Sequence, residues 1–286
     1  MFALASFVCF GLGDFFIQKT TRKIGIWEAL FFITMTGAIF LFPFVYHDFF
    51  RFIRQPGTAP LLLIISIVTL LGALVDFMAM KQGKMAVVEP IISFELPLTL
   101  ALSAFFLREV VSPAQLLLIA SIFIAILVTV SRQHTHLHFS KRVWEKGVWW
   151  AVLAAVGLAL TNFFTGLISR DTSPLFAIWF TFAAVTIPCV VYLWTHGKLG
   201  TLYKHFKRHP KIIVAESFFD TAAWLCYAVA MAQLPVSVAT GIVEGYVALA
   251  VILGIFFNRE RLKTHQKLGA VVAIAGVLFL AMITKG

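Results

Sequence analysis

Acidic residues are scarce in this 286-residue chain: 13 Asp and Glu stand against 23 Lys and Arg, and charged residues of either sign make up only 13%. Soluble domains carry about a quarter charged residues. A chain that is 60% hydrophobic, with a mean hydropathy of +0.94, has too little polar surface to cover itself in water. Cysteine is sparse too. Cys9, Cys189 and Cys226 all lie in apolar runs and show no metal or redox spacing, which excludes a disulfide scaffold. No Gly-rich phosphate loop, Ser/His/Asp set or zinc-protease helix is present, so no cofactor is expected. The opening run, MFALASFVCFGLGDFFIQ, lacks a basic n-region and a small-residue cleavage site and reads as a retained first span. The net charge of +10 and the pI near 9.7 would suggest a nucleic-acid partner in a soluble protein. Here the placement of the charges gives another cause.

Apolar stretches predict an all-α polytopic membrane protein with ten transmembrane helices, roughly 2–18, 26–46, 60–80, 85–107, 114–131, 147–168, 174–195, 211–232, 236–257 and 267–284. They must be helices, because backbone amides facing lipid need partners within their own segment. Trp27, Trp149, Trp150 and Trp194 sit at predicted span ends, where an amphipathic ring prefers the headgroup layer. The loops left over are too short to hold a soluble catalytic domain.

The longest break, 131–147, falls near the middle, and an offset of 151 aligns the two sides of it. LSAFFLREVVSPAQL (102–116) lies over LGIFFNRERLKTHQK (253–267), matching Phe105/Phe256, Phe106/Phe257, Arg108/Arg259, Glu109/Glu260 and Gln115/Gln266. Ala79-Met80-x-Gln82 lies over Ala230-Met231-x-Gln233, and an offset of 148 sets Asp14 over Asn162. The chain reads as a duplicated five-helix unit: residues 1–131, a linker at 132–146, and residues 147–286. With five spans per unit, the second copy starts on the opposite side of the membrane. The copies are inverted, and in such a plan the site lies at their interface near the bilayer midplane.

Glu109…Gln115 and Glu260…Gln266-Lys-Leu-Gly269-Ala, each followed by a small-residue apolar helix, resemble the EamA repeat of the drug/metabolite transporter superfamily, and GLGDFFIQK is similar to its first-helix signature. Pro97, twelve residues before Glu109, matches a family proline, although its counterpart in the second copy is Ala248; Leu118 stands where the second copy has Gly269. The resemblance covers nearly the whole chain. It implies ten helices in two inverted repeats around a central cavity, secondary transport or exchange of small metabolites, and placement in a bacterial or archaeal plasma (inner) membrane.

Of the 23 Lys and Arg, 18 fall in the loops after spans 1, 3, 5, 7 and 9, and five in the other loops and the termini. The positive-inside rule then places the odd-numbered loops in the cytoplasm and both termini outside; the resemblance implies the reverse. The charge count is the reading adopted. Either way the basic excess reflects membrane topology and contact with anionic headgroups.

The acids behave differently. Asp14, Asp76, Glu89, Glu95, Glu216, Asp220 and Glu244 fall inside predicted spans, with no Lys or Arg at the same depth. An ionised Asp at a helix centre costs about 2.5–3.5 kcal/mol on insertion scales, so these groups bind protons, line water or face a cation. Glu216, Asp220, Trp224 and Tyr227 follow i, i+4, i+8, i+11 and share one helix face. Two like charges one turn apart repel, which suits a pair that takes up and releases a proton. The two aromatic residues can hold an aromatic or cationic ligand on the same stripe. Ser66, Thr69, Ala73 and Asp76 form a similar small, polar face, and Asp76 lies opposite Tyr227 in the repeat alignment. Pro90 and Pro97 bracket Glu95, so a kink and freed carbonyls are expected around it. Ser237, Thr240, Gly241 and Glu244 cluster on one face of the ninth span, and Asp14 with its counterpart Asn162 suggests cavity lining. The alternatives are packing between helices with the acids protonated and bonded to carbonyls for the Glu216–Asp220 stripe, a cap or inter-helix hydrogen bond for Asp76, an interfacial position for Glu89 and a helix-packing hydrogen bond for Asp14. Glu109 and Glu260 read as capping or topology elements. His134, His136 and His138 read as part of a polar linker rather than a zinc site.

The expectation is an alternating-access carrier for a small solute such as an amino acid or amine, in contact with membrane lipid and coupled to protons, with Asp14, Asp76, Glu95, Glu216, Asp220, Trp224, Tyr227 and Glu244 as substrate or coupling residues. No metal and no nucleic-acid partner are expected. An intramembrane enzyme using paired carboxylates and a cation channel are the alternatives.

Overall fold

The computed structural model describes residues 1–54, 56–82, 85–130, 146–249 and 263–284, and the described residues form helices joined by short turns, with no strand among them. In chain order the helices are α1 (Phe2–Ile24), α2 (Ile26–Arg54), α3 (Ala59–Gln82), α4 (Met85–Ile92), α5 (Glu95–Phe106), α6 (Pro113–Val130), α7 (Lys146–Asp171), α8 (Pro174–Thr195), α9 (Leu199–Arg208), α10 (Pro210–Gln233), α11 (Val236–Val243) and α12 (Thr264–Thr284). Eight of them are long and apolar enough to cross a membrane: α1, α2, α3, α6, α7, α8, α10 and α12. Two shorter apolar segments, Pro90–Phe106 and Val236–Leu249, occupy the places of the fourth and ninth predicted spans, and each is interrupted by a turn.

Polar contacts near the helix ends join different helices at each end of the molecule. At one end Arg22 donates to the Met80 carbonyl at 3.4 Å, Lys198 pairs with Glu28 at 3.2 Å and Gln266 donates to the Thr129 carbonyl at 3.2 Å. At the other, Gln115 donates to Thr284 at 3.4 Å and Glu109 pairs with Arg170. The first is called the basic end here, the second the terminal end. The short α9, an amphipathic helix with no buried residue, lies in the loop between the seventh and eighth predicted spans.

Packing follows the duplication. Helices α1 and α3 of the first copy pack most heavily against α10 and α7 of the second, while α2 meets its counterpart α8 and α6 meets α12. Small residues permit the central crossings: a Cβ added to Gly157 would stand 2.8 Å from the Gly72 Cα, and one on Gly13 would stand 3.5 Å from the Asp220 amide nitrogen. The two glutamines of the repeat start α6 and α12. Gln115 accepts from the Ser112 amide at 3.0 Å while Ser112 accepts from the Gln115 amide at 3.3 Å, a reciprocal capping box. Gln266 accepts from the Lys263 amide at 3.1 Å.

Both interrupted segments break at equivalent places. The turn at Ser93–Phe94 falls between Pro90 and Pro97. Proline has no amide hydrogen to offer the carbonyl four residues back, and the Ser93 carbonyl accepts instead from Leu96 at 3.3 Å. The second turn, at Glu244–Gly245, stands 151 residues later, with no proline nearby.

Candidate functional site

The two broken segments cross near the middle of the molecule, and the breaks place carboxyls there. Glu95 is the first residue of α5, immediately past the turn, and is 4% exposed; Glu244 ends α11 and is 3% exposed. Their carboxyls adjoin. Beside them the Tyr227 hydroxyl lies 2.7 Å from Thr240 Oγ1, which itself donates to the Val236 carbonyl at 2.7 Å. Thr240 has one proton to give, so when it donates to the Val236 carbonyl it accepts from Tyr227.

A second acidic pair lies across the α1–α10 contact. The close approach at Gly13 brings Asp14 next to Asp220. The Tyr246 side chain faces Asp14 and the Trp224 indole faces Asp220. Phe10 closes this corner edge-on, its ring centroid 5.3 Å from Trp224 at 85° and 5.8 Å from Tyr246.

These groups surround one cavity of about 100 Å³, enclosed by α1, α2, α3, α7, α8, α10 and the two broken segments. Of the residues singled out from the sequence, Asp14, Asp76, Glu95, Asp220, Trp224, Tyr227 and Glu244 all line it, as does Asn162. Glu216 does not. It lies one turn along α10 toward the basic end, fully buried against α1 with Thr20 as its polar neighbour. No Lys or Arg is among the lining residues. Buried polar atoms here are left wanting partners: Glu244 Oε2 and the Thr69 hydroxyl make no hydrogen bond among the described residues. Native interiors rarely leave such groups unmatched, so this site suits a mobile proton, water or solute.

Phe10 and Tyr246 were not singled out from the sequence, because an aromatic residue in an apolar run looks like any packing residue. Glu109 is a cap, as read, but it caps α11 of the other repeat rather than its own helix. Glu260 and the His134, His136, His138 run lie outside the described residues, as do the side chain of Glu89 and nearly all of the linker. Among the described residues no cluster of His, Cys, Asp and Glu suits a metal ion.

Comparison with known proteins agrees with this architecture. Residues 1–131 and 145–282 match the model of the EamA-like transporter family. Several solved structures share the fold; one crystal structure superposes with a TM-score of 0.73 over 98% of this chain and 97% of its own, at 14% sequence identity. A search of curated protein sequences finds no match.

Proposed function

The chain belongs to the EamA-like transporter family, a family of membrane transporters rather than enzymes, and from that premise we propose that it is a secondary active transporter that moves a small metabolite or drug-like solute by alternating access, coupled to protons. The carrying observation is a central cavity lined by five carboxyls with no Lys or Arg among its walls. Two unit charges about 4 Å apart repel by about 4 kcal/mol at an effective dielectric near 20, and removing each from water costs several kcal/mol more. The adjoining Glu95 and Glu244 therefore share a proton or a cation. A solute bearing an ammonium group competes with that proton, and its exit is followed by protonation from the other side. Phe10, Trp224 and Tyr246 provide faces for an aromatic or cationic body. Amino acids and amines fit this wall; simple anions do not. In this reading Glu216, one turn along α10, relays protons between the cavity and the basic end.

In this reading the two broken segments complete ten membrane crossings in two inverted repeats, 1–131 and 147–286, joined by a linker at 132–146. The protein lies in a bacterial or archaeal plasma membrane with the basic end in the cytoplasm. The test is uptake into proteoliposomes of radiolabelled amino acids and amines under an imposed pH gradient. A carrier concentrates a solute against its gradient while the pH difference lasts. An intramembrane enzyme gives product without gradient-driven flux, and a channel gives conductance steps in planar bilayers; either result overturns the proposal.

A further inference from the structure

Every residue that lines the cavity lies at least six residues from the terminal-side end of its helix, but on α2 and α3 the lining runs to Leu30 and Met80, within four residues of the basic end. On the terminal side the cavity is roofed by a buried cluster that includes Ala3, Phe7, Tyr227, Val238 and Ala239. Above that roof sits a polar lock made between the two repeats. Glu109, from the turn after α5, accepts from the Val236 amide at 2.8 Å, the Ser237 amide at 3.1 Å and the Ser237 hydroxyl at 3.0 Å, and pairs with Arg170 at the end of α7. Its side chain is only 6% exposed. Arg170 donates in turn to the carbonyls of Met231 at 3.4 Å and Leu234 at 3.3 Å.

The lock grips both sides of one turn: Arg170 holds the C-terminal end of α10, and Glu109 holds the N-terminal end of α11. Anions at a helix N-terminus meet unpaired amides and the positive end of the helix dipole. Charge-assisted bonds of this kind are about twice as strong as neutral ones. Glu109 is also delivered at a conformational cost, since its neighbour Arg108 has φ 51°, a left-handed conformation unfavourable by about 1–2 kcal/mol for a residue with a Cβ. Such strain persists where surrounding contacts hold it. Along α11, Thr240 holds Tyr227 and Glu244 ends the helix, so displacing the α11 N-terminus displaces both the roof and one member of the carboxyl pair.

An arginine makes the equivalent carbonyl contact at the opposite end. Arg22 stands 148 residues before Arg170, the offset that also pairs Asp14 with Asn162, and it donates to the carbonyl of Met80, the counterpart of Met231. An inverted duplication thus sets one arginine at each end of the cavity.

We propose that Glu109 is a positioning residue that, through Arg170 and the N-terminus of α11, holds the cavity closed toward the terminal end, and that release of this contact opens the cavity there. This rests on the transport reading for its purpose, but its test needs no substrate. Cys9, Cys189 and Cys226 are replaced by alanine, and Asn162→Cys is introduced into the cavity wall. The full chain is placed in sealed vesicles of known orientation, and a membrane-impermeant thiol reagent is applied from each side. In the parent, labelling proceeds from the basic end and is slow from the terminal end. Glu109→Gln raises the terminal-side rate about tenfold, as loss of a charged hydrogen bond shifts a closed–open equilibrium. Arg170→Lys, which keeps the charge but not the fork of donors, raises it less and serves where Glu109→Gln does not fold. Equal labelling of the parent from both sides overturns the proposal, as does an unchanged terminal-side rate in a variant that elutes as folded protein. If gradient-driven uptake is absent while sidedness changes as expected, the transport reading has failed and the lock has not.

Discussion

The two broken segments reach the same geometry by different chemistry. In the first copy the turn at Ser93–Phe94 lies between Pro90 and Pro97; in the second the equivalent turn, Glu244–Gly245, has Ala248 where the first has Pro97. What replaces proline is space. A Cβ at Gly245 would collide with Val277 of α12 and stand 3.3 Å from the Phe7 ring, so the segment turns where only glycine fits between its neighbours. The comparison teaches that the interruption belongs to the site and not to proline. A continuous helix has no free backbone at its centre and sets side chains one turn apart, whereas two half-helices meeting at a crossing set Glu95 and Glu244 against each other from different copies. Broken helices at membrane depth are tolerated where protein or a water-lined cavity covers them, and Glu95 and Glu244, at the two breaks here, line the cavity.

That comparison breaks most completely if both carboxyls are removed. Glu95→Gln with Glu244→Gln lowers gradient-driven uptake by about a hundredfold, within the range of a coupling free energy of up to about 3 kcal/mol, and the remaining flux no longer varies with pH; radiolabel uptake at two imposed gradients reads both. The next largest effect falls on the space. Gly245→Ala overpacks the α12 contact and costs about 2 kcal/mol, seen as a fall of several degrees in the melting temperature of the purified protein. Tyr227→Phe removes the donor to Thr240 and costs about 1 kcal/mol by the same measurement. The smallest effect belongs to the residue that the sequence makes most conspicuous: Pro97→Ala changes stability by less than about 1 kcal/mol, because the second copy holds its turn with alanine at that place. A Pro97→Ala loss larger than that of Gly245→Ala would return the explanation to proline.

Much of this is legible in the sequence. The duplication shows in polar matches at one offset, and the acidic residues stand out because an apolar run gives them no cheap explanation. The cavity brings together Asp14, Asp76, Glu95, Asp220 and Glu244 from both copies, and it leaves Glu216 outside because a stripe along α10 runs past the end of the cavity. The partnership of Glu109 with Val236, 127 residues away, has no local signature: a glutamate after a helix reads as a cap for its own copy. The second break was hidden for the opposite reason, since Gly245 sits in an apolar run and acts only through the neighbour it admits. Arg170 was within reach. The offset that pairs Asp14 with Asn162 also pairs Arg22 with it, and a basic residue repeated at the end of the same helix in both copies marks a position worth following.

The claim beneath all of this is that the cavity carboxyls are neutralised by something that moves. Luminal pH, followed with a trapped fluorescent dye in proteoliposomes, tests it most directly when a permanently charged quaternary amine or a membrane-impermeant amino acid is added outside. The account predicts a pH change in proportion to the solute taken up, absent from protein-free vesicles and from Glu95→Gln/Glu244→Gln. Solute entering with no accompanying proton movement would contradict it.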